Sequence, residues 1–191
     1  FKLKGKIMIK NLLFVTIACS AFSGVAMADD VANGGTINFT GTVVDAPCIV
    51  AQDSIDMSVD LGQTTVDYIT KYGSSKPADV NINLTNCTLQ GGGTDNADIT
   101  KADVTFDSSA VDTSDAGLLA NTNSAGATGV GVRLLTSEDA PLTLGTSSEV
   151  PLQVSSTEQT LVFHARMETI PGETLAPGSV AANATYTIAY K

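Results

Sequence analysis

The sequence contains no tryptophan and only one histidine, His164. Tryptophan is a common stacking partner for sugar rings, so its absence counts against a glycan-binding site. A catalytic triad needs a histidine beside a nucleophile and an orienting acid, and the sequence has no GxSxG motif. Strand alternation places His164 with Arg166 on the face opposite Phe163. We therefore predict a solvent-facing histidine and no catalytic residue.

Basic residues are scarce, with ten Lys and Arg against twenty Asp and Glu. Four of the ten (Lys2, Lys4, Lys6 and Lys10) precede residue 29, so residues 29–191 hold six basic and twenty acidic residues, a formal charge of -14. Nucleic acids and anionic membranes bind clustered Lys and Arg. The sequence therefore predicts no nucleic-acid partner.

The first 28 residues have the order of a secretory signal. Lys10 precedes an apolar run over residues 12–18, and Ala26-Met27-Ala28 fits a small-x-small cleavage site. The apolar run is shorter than the roughly 20 residues of a membrane span, which disfavours the alternative of an anchor. We predict a signal peptide over residues 1–28, with Met8 as the true initiator, and export of the remaining chain.

Only two of the three cysteines, Cys48 and Cys87, lie beyond the predicted signal, because Cys19 is removed with it. In an oxidising compartment such a pair most often forms a disulfide. It would close a loop of about 40 residues and contribute roughly 3 to 4 kcal/mol. A metal site or a catalytic thiol is the alternative, which the lack of a nearby histidine or CxxC spacing disfavours.

Neither a cofactor nor a metal ion is predicted. Gly91-Gly92-Gly93 lacks the Gly-Lys-Ser/Thr that completes a phosphate-binding loop. The acidic run from Asp95 to Asp107 lacks the one-three-five spacing and closing Glu of a calcium loop, which leaves weak Ca²⁺ binding as an alternative.

Most periodic stretches beyond the signal alternate with a period of two and are separated by Gly, Ser, Asn, Asp and Pro, which predicts an all-β sandwich with one core. The segments 91–98 and 107–129 are predicted to be surface loops. The clearest strands are Val80-Ile82-Leu84, Val104-Phe106, Val130-Val132-Leu134, Leu161-Phe163-Ala165-Met167 and Tyr186-Ile188-Tyr190.

The segment VANGGTINFTGTV, residues 31–43, has an apolar side that changes parity where it meets the next strand. Val31, Ile37, Phe39 and Val43 fall on odd positions, whereas Val44, Ala46, Cys48 and Val50 place the apolar set on even positions. A parity change turns every side chain to the other face. We predict two consecutive strands, the second in this subunit's core and the first in another molecule. The alternative is an ordinary first strand of a closed domain.

The final strand ends one residue before the last residue of the sequence, and no further strand follows to cover the sheet beyond it. Its apolar side chains and free backbone edge need a partner. Head-to-tail donation of the first strand to this edge of another subunit would satisfy both ends.

Several motifs together resemble a major subunit, or pilin, of chaperone-usher fimbriae of the type 1 family. The opening NGGTINFTGTVVDAPC and the closing APGSVAANATYTIAYK, with its penultimate tyrosine, carry the resemblance, and VDLGQ, GVGVRLL, PLTLG and LVFHAR support it. The resemblance implies an incomplete immunoglobulin-like β-sandwich that lacks its last strand. It also implies a donor strand with Val31, Gly35, Ile37 and Phe39, and a C-terminal strand with Tyr186, Ile188 and Tyr190 that a periplasmic chaperone recognises.

The sequence thus predicts a signal peptide (1–28), a donor-strand extension (29–43) and a pilin domain (44–191). The expected function is a structural, non-enzymatic subunit of a surface fimbria that supports adhesion. The expected partners are identical or related fimbrial subunits, the periplasmic chaperone and the outer-membrane usher. The alternatives are a minor tip or adaptor subunit with a glycan-binding role and a secreted all-β hydrolase.

Overall fold

A computed structural model describes residues 35–191 of the chain. The predicted signal peptide, with Met8, and Val31 lie outside the described residues. The chain divides into two units between Gly41 and Thr42. The described part of the first unit, residues 35–41, contains no helix or strand, and Ile37 and Phe39 are 75% and 89% exposed.

The second unit contains eight strands and two short helices. The helices are α1 (Gln52–Ile55) and α2 (Val66–Tyr72), and a 3₁₀ turn covers Thr94–Asn96. The strands are β1 (Ile49–Val50), β2 (Ala78–Thr85), β3 (Lys101–Asp107), β4 (Leu118–Ala120), β5 (Val130–Thr136), β6 (Ser147–Pro151), β7 (Gln159–Thr169) and β8 (Thr185–Tyr190).

The strands form two antiparallel sheets that face each other across one main core. The larger sheet has the order β1-β2-β7-β5-β4, and the smaller has the order β6-β3-β8. Alternate residues of β2 and β7 point inward, and Phe106 of β3 packs edge-to-face on Phe163 of β7, with ring centroids 4.9 Å apart. The all-β, immunoglobulin-like sandwich predicted from the sequence is confirmed.

The disulfide expected from the sequence is present between Cys48 and Cys87, which are both buried. Cys48 directly precedes β1 and Cys87 follows β2, so the bond fixes the ends of two neighbouring strands. The first core strand is shorter than predicted, because β1 pairs with β2 at only two positions. Val44 and Ala46, expected to point inward, are exposed.

The sequence reasoning missed both helices, although α2 carries ordinary helix signals. Thr65 caps its N-terminus by accepting a hydrogen bond from the Tyr68 backbone N–H at 3.2 Å. Gly73 ends the helix in the left-handed conformation, with φ of 76°. The predicted loop 107–129 also contains the short strand β4, whose Leu119 joins the core.

Candidate functional site: an open groove between two unpaired edges

An open groove with a volume of about 1580 Å³ runs along one side of the sandwich. Its floor is the inner face of the larger sheet, whose apolar side chains are buried and belong to the core. The floor residues include Val80, Ile82, Val132, Leu134, Ala165 and Met167. The site is therefore a long apolar cleft, which suits an extended chain better than a compact ligand.

The start of strand β8 and the segment 175–184 before it form one edge of the groove. Strand β8 pairs with β3 through six residue pairs, and among residues 35–191 no strand pairs with its other side. Tyr186, Ile188 and Tyr190 are half-buried on one face, as the alternation predicted, while Thr187 and Ala189 are exposed on the other. Tyr186 lines the groove, and Ile188 and Tyr190 pack against the core beside it.

The segment 57–61 lies along the opposite side of the groove. Met57, Val59 and Leu61 are half-buried and line the groove, whereas Ser58 and Asp60 are exposed. This alternation is that of a strand. However, the segment makes no backbone hydrogen bond to any part of the chain that the structure describes. Two backbone edges that could accept a strand thus flank the groove.

A hydrogen bond between the two sides marks one end of the groove. The Tyr186 hydroxyl donates to the Ser54 backbone carbonyl of α1 at 2.6 Å, and burial raises the pKa of Tyr186. Burial, with a smaller contribution from Tyr186, also raises the pKa of Tyr190. This bond ties the C-terminal strand to the turn that precedes the segment 57–61.

Helix α2 and the segment before β8 form the other end of the groove. Ile69 packs in a small cluster with Val130 and Met167, and Leu175 and Val180 pack against that cluster. All five residues line the groove. The groove therefore runs from the Tyr186–Ser54 hydrogen bond to α2.

The sequence reasoning identified β8 but missed the segment 57–61 and α2 as parts of the groove. The alternation of Met57, Val59 and Leu61 was a usable signal, because it has the period of a half-buried strand. Of the predicted donor residues, Gly35, Ile37 and Phe39 are exposed in the described part of the first unit.

The single histidine is less exposed than predicted. The His164 side chain is 19% exposed and lies between two carboxylates on the outer face of the larger sheet. Its Nδ1 is 2.7 Å from Asp139 Oδ1, and its Nε2 is 3.6 Å from Asp79 Oδ1. The turn at Asp139 covers the ring, which strand alternation alone could not indicate.

A charged network occupies the same outer face. Arg133, only 7% exposed, contacts both carboxylate oxygens of Asp115 and one oxygen of Glu168, at 3.1 Å from Nη2. Arg166 binds the other oxygen of Glu168 at 2.9 Å. Hydrogen bonding from Arg133 lowers the pKa of Asp115.

None of the described helices has the length and apolar character to cross a bilayer.

The two sheets and the open groove define an incomplete immunoglobulin-like sandwich. This is the architecture of pilus subunits that assemble through a chaperone and an usher, and the comparisons with known proteins agree. The family model described as "Fimbrial protein" matches residues 37–191. The chain belongs to this family.

Curated relatives cover nearly the whole chain. The uncharacterized fimbrial-like protein YbgD of Escherichia coli K12 is 40% identical over 187 residues, which is 95% of this chain and 97% of the relative. The type-1 fimbrial protein A chain of the same strain is 33% identical and covers 96% of this chain and 99% of its own length. The function expected from the sequence, a structural subunit of a fimbria, is confirmed at this level.

Solved structures share the fold. The subunit of a chaperone-usher pilus whose structure explains rod uncoiling aligns with a TM-score of 0.67 at 25% identity, over 84% of this chain and 97% of that chain. The P pilus rod subunit PapA aligns with a TM-score of 0.63 at 23% identity, over 76% of this chain and all of that chain.

Proposed function

We propose that this subunit polymerises head to tail by donor-strand exchange, in which residues 31–39 of one subunit fill the groove of the next. The observation that carries the proposal is the apolar groove between two unpaired backbone edges, in a chain that also carries exposed Ile37 and Phe39. Within residues 35–191 no strand occupies the groove, and Ile37 and Phe39 of the first unit are exposed apolar side chains. A second copy of the chain satisfies both.

The proposed donor segment is longer than the six residues of β8. Residues 31–39 span about 30 Å as a strand, which is enough to follow one sheet edge. Burial of Ile37 and Phe39 contributes roughly 1.5 to 3 kcal/mol each, before any backbone hydrogen bonds are counted. Gly35 lies two positions before Ile37 on the same side of the strand, so it suits a shallow place in the groove.

The partners and the location follow from the same open groove. An exported subunit would carry this apolar cleft in water until it meets the next subunit, a liability for aggregation. We therefore propose that a periplasmic chaperone covers β8 and the groove. The residues of β8 that would contact the chaperone are Tyr186, Ile188 and Tyr190. An outer-membrane usher then exchanges the chaperone for the next donor strand, and the product is a surface fimbria.

The role we propose is structural and not catalytic. The polar partners of His164 are the carboxylates of Asp79 and Asp139, and residues 35–191 hold no cluster of three or more His, Cys, Asp or Glu side chains placed to bind a metal ion. The long apolar groove is therefore the feature to which we assign the function.

A donor-peptide experiment tests this function. The purified subunit is mixed with a synthetic peptide of residues 31–40, and its unfolding by denaturant is followed. We expect the peptide to raise the unfolding midpoint and to block further polymerisation, because it occupies the groove. A matched peptide with Phe39→Asp should do neither, since the apolar floor would have to bury a carboxylate.

A subunit whose unfolding midpoint and assembly are unaffected by the native peptide would contradict strand donation by these residues. Equal effects of the two peptides would show that binding does not depend on the Phe39 side chain.

A further inference from the structure

Exposed apolar side chains concentrate directly after the proposed donor segment. Val43 is fully exposed at 101%, and Val44 and Ile49 are also exposed. With Pro47 they line a shallow cleft of about 350 Å³. We call these four residues the Val43 surface. Exposed apolar residues that line one cleft are candidates for contact with another molecule.

The short connection to the donor segment determines which molecule can cover the Val43 surface. Only four residue steps separate Phe39 from Val43, which is at most about 14 Å of chain. When Phe39 lies in the groove of the next subunit, the Val43 surface must therefore lie close to that same subunit.

Strand direction indicates which end of the groove the Val43 surface reaches. All six strand pairs in the sandwich are antiparallel. A donor strand that continues this pattern runs beside β8 from Tyr190 towards Thr185, passes the Tyr186–Ser54 hydrogen bond, and leaves the groove at the end where α2 lies. The Val43 surface is then next to α2 of the acceptor.

The outer side of α2 offers an apolar surface of matching character. The rings of Tyr68 and Tyr72 lie 4.6 Å apart, and Tyr72 is 58% exposed. Aromatic side chains of this kind are enriched in protein interfaces, where they bury large areas at low entropic cost.

Two basic side chains near α2 have the opposite charge to an acidic residue beside the Val43 surface. Lys71 and Lys76, on α2 and just after it, form no salt bridge within residues 35–191, whereas the other basic side chains there all do. Asp45 is exposed beside Val44 and forms no salt bridge within the same residues. Opposite charges around an apolar contact favour the correct orientation of the two molecules.

We propose that the Val43 surface of each subunit packs against Tyr68 and Tyr72 of α2 in the subunit that accepts its donor strand. The proposal rests on donor insertion, and it adds a second contact between successive subunits. Because the two surfaces differ, the contact is heterologous and repeats along the filament. It would fix the angle between neighbours that the donor strand alone leaves free.

Cysteine labelling separates this contact from donor insertion. Val44→Cys, Tyr72→Cys and Phe39→Cys variants are labelled with a maleimide, both as peptide-completed subunits and as filaments. We expect labelling at positions 44 and 72 to slow on the order of tenfold in filaments, the ratio that about 1.4 kcal/mol of contact energy gives. Protection at position 39 alone would overturn the second contact and leave donor insertion intact. Rapid labelling at position 39 in filaments would instead overturn donor insertion.

A double-mutant cycle tests whether the two surfaces touch each other. Val44→Ser and Tyr72→Ser are combined, and filament dissociation in denaturant is measured. Residues in contact give a double variant whose loss is smaller than the combined single losses. The control pair is Val44→Ser with Val162→Ser, on the outer face of β7, which should be additive. Additive effects for Val44 and Tyr72 would overturn the proposed pairing.

Discussion

The outer face of the larger sheet and the groove side of the sandwich differ in how completely their groups are partnered. On the outer face, Arg133, Arg166 and His164 each contact carboxylates of the same chain. On the groove side, core side chains line an open cleft, and among residues 35–191 β8 pairs with a strand along one edge only.

The difference shows which part of the subunit has its interaction partners within the same chain. Charges that are partnered internally stabilise the sandwich without help from another molecule. An apolar groove whose two backbone edges are unpaired within the described residues leaves stabilisation to be gained on assembly, because covering apolar area is the dominant favourable contribution to association. Stability of the outer face should therefore be independent of assembly, whereas stability of the groove side should depend on it.

The largest expected effect compares a core phenylalanine with a donor phenylalanine. Phe163 is 1% exposed, and truncation of a buried Phe to Ala alone costs about 3 to 5 kcal/mol. Phe163→Asp adds a buried carboxylate, so we expect no folded subunit to be recovered. Phe39→Asp should give a folded, chaperone-bound subunit that enters few filaments. Circular dichroism and filament yield measure the two outcomes.

If Phe39→Asp unfolds the subunit as completely as Phe163→Asp, residues 31–39 belong to the local core. The distinction between an internally partnered outer face and a groove side that depends on assembly would then be wrong.

The disulfide gives the next largest effect. Replacing both Cys48 and Cys87 with Ser should lower the unfolding free energy of the peptide-completed subunit by about 3 to 4 kcal/mol, since the bond constrains the unfolded chain. Denaturant unfolding of the two proteins measures the difference. Alkylation of the native, unreduced subunit should label neither cysteine, and stoichiometric labelling would contradict the bond.

A smaller effect is expected from the charged network on the outer face. Arg133→Met leaves Asp115 without its cation, and because Asp115 is partly exposed we expect a loss of about 1 to 2 kcal/mol. Arg166→Met is the matched control, with a smaller loss, since Arg166 is more exposed and Glu168 keeps Arg133. Both losses should be the same with and without donor peptide. A loss that depends on the peptide would mean that the two faces are coupled.

The network also predicts a pH dependence with a defined sign. Hydrogen bonding from Arg133 holds the pKa of Asp115 below its ordinary value, so its stabilising contribution is present above the unfolded-state pKa. It is lost as the pH falls through the folded-state pKa. The unfolding free energy of the Arg133→Met variant should therefore fall less steeply at acid pH than that of the parent. An equally steep fall in both proteins would contradict this prediction.

Sequence patterns predicted the sandwich and the unpaired last strand because alternation over β2, β7 and β8 reflects which face is buried. They did not predict the covered position of His164, which depends on a turn 25 residues away. They also missed the segment 57–61 as a groove wall. A strand-like segment without an internal partner gives the same alternation as a paired strand, so only the assembled sheets distinguish the two.

The smallest effect concerns the hydrogen bond at the end of the groove. Tyr186→Phe removes the hydroxyl that donates to the Ser54 carbonyl, which should lower the unfolding free energy by about 0.5 to 1.5 kcal/mol. Tyr72→Phe is the matched control and should change little in the monomer, because Tyr72 is exposed.

Burial raises the pKa of Tyr186 above its ordinary value of 10.0, so its contribution to stability is present below pH 10 and is lost as the pH rises through the folded-state pKa. The Phe variant should lose less stability than the parent over that alkaline range, where Tyr190 still titrates in both proteins. If Tyr186→Phe lowers the unfolding free energy of the free subunit but not that of the peptide-bound subunit, the hydrogen bond from Tyr186 to Ser54 forms only while the groove is empty, and it breaks on assembly.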